Sequence, residues 1–204
     1  QGVLGVDLEN RLGIRQALPA GLHHPPHLLA HIELIDHQAG GRLGEPVRGT
    51  HFFHIRAQLI ADALGEKVFK NREKEIGWFP VHPDGDNEDH EILSVFPVTF
   101  TPFLWHGETF DLPEGARLLG SSVASRYQGF LFGNHVLALQ FHLVITPQII
   151  QDLLEYASGD MTPGAYVQSS GEIRKGIEHS SANRVLLFRL LDRFLGPALK
   201  LSFS

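Results

Sequence analysis

An α/β domain built on a central sheet is the fold class this sequence predicts, and three observations carry the prediction. Strand-like and helix-like segments alternate from about residue 55 onward, at the spacing of a sheet covered by helices. The 204 residues, 43% of them hydrophobic, suffice to bury a sizeable core. No internal repeat or heptad pattern is visible, which sets aside solenoids and coiled coils.

The elements follow in order. Leu59, Ile60, Ala63 and Leu64 fall at helical spacing over Ala57–Leu64, and Gly65 stands where a helix C-terminus takes glycine. Lys67–Lys70 and Ile76–Val81 read as two strands, with His82–His90 as a solvated loop. Leu93–Thr99 alternates as a strand does. Leu112–Gly115 is a turn, and Ala116–Leu119, Tyr127–Phe132 and Val136–Phe141 are three more strand candidates. Gly133-Asn134 marks a hairpin between the last two. Thr146-Pro147 opens a helix as N-cap and first helical residue, with Ile149, Ile150, Leu153 and Leu154 on its buried face. Gly164–Ser170 is a loop. A last helix runs from about Ala182 to Leu195, with Val185, Leu186, Phe188, Leu190 and Leu191 as its apolar side, and Gly196-Pro197 ends it.

Charge and composition narrow the function classes. A net charge of −6 supplies no basic face for phosphates, so no nucleic acid is expected as a partner. No apolar run approaches the roughly 20 residues that span a bilayer, so no membrane partner is expected either. The first residues show no basic stretch followed by an apolar one, and no secretory leader is expected. Cysteine is absent from the chain, which removes disulfides, thiolate metal ligands and thiol nucleophiles together.

Residues 1–51 differ in composition from the rest. They contain no Phe, Tyr, Trp, Lys, Met or Ser, although Phe occurs 14 times in the chain. They hold His23, His24, His27, His31, His37 and His51. His23/His27 and His27/His31 are i,i+4 pairs that one helix would present on one face for a metal. Pro25-Pro26 interrupts that helix, and no bound metal or other cofactor is expected.

Five blocks carry a family resemblance. Gln58–Gly65, Lys74–Val81, Trp105–Pro113, Gln140-Phe141-His142 with Thr146-Pro147, and Tyr166–Ser169 resemble, in order, the class I glutamine amidotransferases. Their stand-alone branch, similar to the amidotransferase domain of GMP synthase, is the nearest in flavour. The resemblance covers residues ~55–195. It implies a three-layer α/β/α, flavodoxin-like domain with a central, mostly parallel sheet over residues 55–204. Residues 1–54 would then be an atypical N-terminal segment of the same domain. It further implies glutamine or a related small amino acid as ligand, a synthetase as partner for the released ammonia, and a cytoplasmic location.

In the family a cysteine thiolate on a tight strand-to-helix turn attacks the glutamine side-chain amide. A histidine moves the proton and a glutamate orients the histidine. His142 stands at the family histidine. Val144 stands at the orienting glutamate. Counting back from Gln58, which matches the last residue of the family's Gly-x-Cys-x-Gly-x-Gln elbow, puts His54 at the cysteine, with Phe52 and Arg56 at the glycines. An alternative alignment through Glu45-Pro46-Val47 and Gly49 puts His51 there instead. Gln58, Trp105 and His106 would line the substrate pocket. With no thiol and no orienting carboxylate, the chain is expected to lack the family's glutaminase activity. Two other roles stay open: a non-catalytic ligand- or partner-binding pseudo-amidotransferase, and a His-rich metal-binding module.

Overall fold

A computed structural model of the chain describes residues 57–195 and the backbone of 52–54. Strand β1 (Phe52–His54) is followed by helix α1 (Ala57–Ala63) and the long strand β2 (Val68–Trp78). Strands β3 (His82–Pro83), β4 (Phe103–Phe110), β5 (Ala116–Leu118), β6 (Gly120–Ser121), β7 (Gly129–Phe132) and β8 (Val136–Leu139) come next. Three helices complete the order: α2 (Pro147–Tyr156), α3 (Ser170–Lys175) and α4 (Ser180–Leu195).

The strands form a four-stranded sheet in the order β1-β8-β7-β5, a β2/β4 ribbon, and a short β3/β6 pair. In the four-stranded sheet only β1/β8 is parallel, with Phe52 opposite Val136 and His54 opposite Ala138. The β5/β7 and β7/β8 pairings are antiparallel, which departs from the largely parallel sheet anticipated from the sequence. The cause is connection length. Strands joined by a hairpin run antiparallel, whereas parallel neighbours need a long crossover. The β7–β8 turn holds Gly133 at φ 56°, a left-handed value suited to glycine.

Alternate residues of this sheet serve different packing partners. Leu131, Leu137 and Leu139 join Phe96, Phe100 and Phe141 against Leu186, Leu190 and Phe194 of α4. Phe130 and Ala138, with Phe110 of β4, meet Ala57 and Ala61 of α1. Period-two alternation thus gives the sheet apolar contacts on both faces. A third cluster, Ile76, Trp78, Phe103, Ile145, Ile150 and Ile173, seats α2 and α3 on the ribbon.

Several elements differ from the sequence reading, each for a visible reason. Lys67–Lys70 and Ile76–Val81 fall largely within the single strand β2, whose register against β4 shifts between Lys70 and Glu75. The polar stretch 71–74 occupies this irregularity rather than a loop. Leu93–Thr99 is not a strand: Leu93–Val95 is a 3-10 turn, and Phe96 and Phe100 are spaced to pack together, 5.1 Å between rings, beneath α4. In α4, Val185 and Phe188 are 50% and 40% exposed, because the buried stripe runs through Asn183, Leu186, Leu190 and Phe194. Helix α3, which follows directly on the predicted Gly164–Ser170 loop and takes its last residue, is started by a full capping box of Ser169 and Glu172, a signal present in the sequence. The chain after Leu195, with Gly196-Pro197, lies outside the described residues.

Two local devices fix the ribbon and its neighbouring loop. Gln168 lays its amide along β2, accepting from the Trp78 N–H at 2.9 Å and donating to the Trp78 carbonyl at 3.0 Å. This is possible because Gly77, at φ 125°, has no side chain; a Cβ there would fall on the Gln168 amide. His90 accepts at Nδ1 from the N–H groups of Ile92 (3.2 Å) and Leu93 (3.3 Å), ordering the turn that carries Leu93 into the core. Burial, then the nearby Arg117 charge, lowers the His90 pKa from its ordinary 6.5, against an opposing effect of Glu91.

Two outcomes are expected. Gly77→Ala combines left-handed strain with displacement of Gln168 and should cost about 2–4 kcal/mol in urea unfolding. His90 is depressed in the folded chain, so its contribution to stability is full above pH 6.5 and declines as the pH falls through its lowered folded value. His90→Asn, which keeps an acceptor but does not titrate, should flatten that acid slope in thermal melts.

Candidate functional site

The β2/β4 register sets Glu75 opposite His106 and Ile76 opposite Trp105. Neighbouring residues of a strand point to opposite faces, so the ribbon offers an aromatic side and a polar side. On the aromatic side, Trp105 is half-buried, 6.0 Å from the Phe103 ring, and its indole N–H donates to Asp160 at 3.3 Å. Lys74 donates to the Asp160 carbonyl at 2.8 Å, so one residue of the 158–160 turn is held at two points over Trp105.

The polar side is buried. Glu75 has 0% relative exposure, Gln128 0%, Gln140 3% and His106 9%. The Gln128 amide donates to Glu75 Oε2 at 2.7 Å and to Ser122 Oγ at 3.0 Å. His106 Nε2 lies 3.2 Å from the same Glu75 oxygen. The Gln140 amide nitrogen is 2.9 Å from His106 Nδ1. It is also 3.1 Å from Nε2, but that nitrogen faces Glu75. The contacts therefore assign Nε2–H as donor to Glu75 and Nδ1 as acceptor from Gln140. Two residues come from the ribbon and two from the four-stranded sheet's side, and together they clasp the two units. Among the described residues, Glu75 Oε1, Gln128 Oε1 and Gln140 Oε1 are buried without a hydrogen-bond partner, so there this network holds more acceptors than donors.

The predicted site residues fall in two groups. His142 follows β8, and its backbone pairs with Phe103, donating at 2.8 Å and accepting at 3.2 Å; the two rings are 6.3 Å apart. Val144 is exposed nearby in the chain, an apolar side chain where the family resemblance puts a carboxylate. Gln58, in the first turn of α1, makes a long 3.5 Å contact with the Glu108 carbonyl of β4. His54 ends β1, three positions before α1 begins, on the strand-to-helix connection that the resemblance assigns to a nucleophile. Because β1 and β8 are parallel, both run toward one end of the sheet, and His142 lies just past the end of β8. That is where open α/β sheets place ligands. Trp105 and His106, by contrast, face opposite ways. His106 is taken up by Glu75 and Gln140.

Glu75 and Gln140 fall within the blocks that carry the family resemblance, but neither they nor Gln128 are predicted site residues. Their signal was weak but real: amides and a carboxylate flanking apolar strands need partners if buried. His51, Arg56 and the histidines of residues 23–37 lie outside the described residues, and with them the His-rich metal-binding reading. Among the described residues, no group of three or more His, Asp or Glu is arranged to hold a metal ion. No helix among them is long and apolar enough to cross a membrane.

Removing the Glu75 carboxylate strands both donors that meet at Oε2. Glu75→Ala is expected to cost about 3–5 kcal/mol in denaturant unfolding. Glu75→Gln, which keeps an acceptor oxygen, should cost visibly less.

Comparison with known proteins places this geometry. No protein-family model matches the chain. A glutamine amidotransferase-like protein of Salmonella typhimurium, YfeJ, is 28% identical over 141 residues, 69% of this chain and 58% of that protein. A solved glutamine amidotransferase from Thermotoga maritima is 27% identical, with a TM-score of 0.58 over 68% of this chain and 59% of the other. The glutamine amidotransferase of Methylobacillus flagellatus superposes with a TM-score of 0.62 over 68% of this chain and 59% of the other; at 22% identity that likeness is one of fold. The chain thus spans less than two-thirds of the length of the relatives it matches. Over that span, in sequence and in fold, it resembles the class I glutamine amidotransferase family.

Proposed function

We propose that the chain carries a glutamine amidotransferase-like pocket that binds glutamine or a related small amino acid without hydrolysing it. The observation that carries this reading is the joint placement of β1, the start of α1 and His142 at one end of the parallel β1/β8 pair. On this reading, residues 55–204 form the amidotransferase-like unit and residues 1–54 an atypical segment of the same domain. The whole domain is then a three-layer α/β/α structure whose sheet is mostly parallel. A cytoplasmic location and a synthetase partner belong to the same proposal.

The loss of chemistry follows from what the reaction needs. Thioester formation requires a sulfur nucleophile, and the chain has no cysteine. An imidazole at position 54 or 51 is not equivalent, because the acyl-imidazole it would form is not a thioester and its own proton relay is missing. His142 would need a carboxylate to set its tautomer and stabilise its imidazolium, and Val144 supplies none. Removing the nucleophile from such a unit costs on the order of a millionfold in rate.

Calorimetry and an ammonia assay test the two halves separately. L-glutamine should bind the full chain with measurable heat. Ammonia release should stay far below ~1 s⁻¹, an ordinary enzyme rate, and be indifferent to a thiol alkylator. Introducing His54→Cys alone should recover little, because the orienting carboxylate is still missing. Turnover at ~1 s⁻¹ by a chain of confirmed mass would overturn the inactive reading, and absence of binding would overturn the pocket.

A further inference from the structure

We infer that Gln140 is a positioning residue for His142, acting through His106 and Glu75; its bearing on ligand binding rests on the pocket proposed above. Strand β8 ends at Leu139. The ladder to β7 carries one residue further, the Gln140 N–H donating to the Gln128 carbonyl at 3.0 Å, and the segment from Gln140 to His142 docks on β4 at two points. One is the pair of backbone hydrogen bonds between His142 and Phe103. The other is the Gln140 amide on His106, three residues further along β4. His106 is in turn held by Glu75 across the ribbon. The segment that presents His142 is therefore fixed on one side by its own backbone and on the other by a side chain seated in the buried network.

Gln128 supplies the control that the fold has built in. It is the same residue type, it is equally buried, and it joins the same network, donating to Glu75 where Gln140 meets His106. The backbone that follows it, however, runs into β7 and on to the Gly133–His135 turn, away from His142. The two glutamines enter one buried network through different partners, and they differ in what they lead to. If the network served only stability, losing either amide would have like consequences. If Gln140 positions His142, the consequences separate.

The full chain, labelled with 15N-histidine, is compared with Gln140→Met and Gln128→Met by imidazole NMR, thermal melting and glutamine calorimetry. Both variants should melt several degrees lower. In Gln140→Met the His142 ring resonances and their pH titration should move, and glutamine affinity should fall by about tenfold. In Gln128→Met the His142 signals should stay in place, and His135, on the distal hairpin, should be unmoved in both. Equal movement of His142 in the two variants, or movement in neither, overturns the inference. Should Gln140→Met not fold, Gln140→Asn, which keeps the amide but shortens its reach, is judged by the same criteria. A native chain that binds no glutamine sinks the pocket proposal, while the NMR comparison still decides the role of Gln140.

Discussion

A carboxylate sealed from solvent is costly unless its charge and lone pairs are answered, and Glu75 sits at that point in this molecule. It is answered from two directions. His106 reaches it from the partner strand of the ribbon, and Gln128 reaches it from the edge of the four-stranded sheet. The ribbon and the sheet do not share a continuous hydrogen-bond ladder among the described residues. Their relative placement rests on apolar packing, which is tolerant of small slides, and on two directional devices, the backbone pairing of His142 with Phe103 and this clasp. A displacement of an ångström leaves the packing of Phe110 on Phe130 nearly as favourable but breaks a 2.7 Å hydrogen bond. Directional contacts thus give the apolar core a unique register.

Much of the fold was legible in the sequence because local signals coincided with tertiary need. Thr146 caps α2 by accepting from Ile149, with Pro147 at the first turn, as the residues themselves announce. Gly133-Asn134 makes the β7–β8 hairpin. The segment 93–100 misled because alternation of apolar residues is a property of half-buried strands and also of a loop pressed under a helix. The short polar run 71–74 misled in the opposite sense: it looked like a break, while the strand carried on through a register shift. Neither ambiguity resolves locally, since in both cases the deciding partner is more than twenty residues away.

Site residues were legible to a different degree. His54 closes β1 and His142 follows β8, so the parallel pairing carries both toward one end of the sheet. The pairing of Trp105 with His106 as joint pocket residues is a natural assumption from adjacency, but strand geometry separates them onto opposite faces. Glu75, Gln128 and Gln140 are far apart in sequence, and nothing in their local context shows that they meet. Only the register of β2 against β4 and the passage of β8 toward β4 bring them together.

The acceptor surplus of the clasp carries an evolutionary consequence. Four side chains from four separate stretches of chain share one hydrogen-bond economy, so no one of them can change its donor or acceptor character without penalising another. Position 144 has no place in this network, and its side chain is exposed. Substitutions at position 144 would therefore stand alone, while the clasp changed only through compensating pairs. Among related chains, positions 75, 106, 128 and 140 should substitute in concert, and position 144 independently of them.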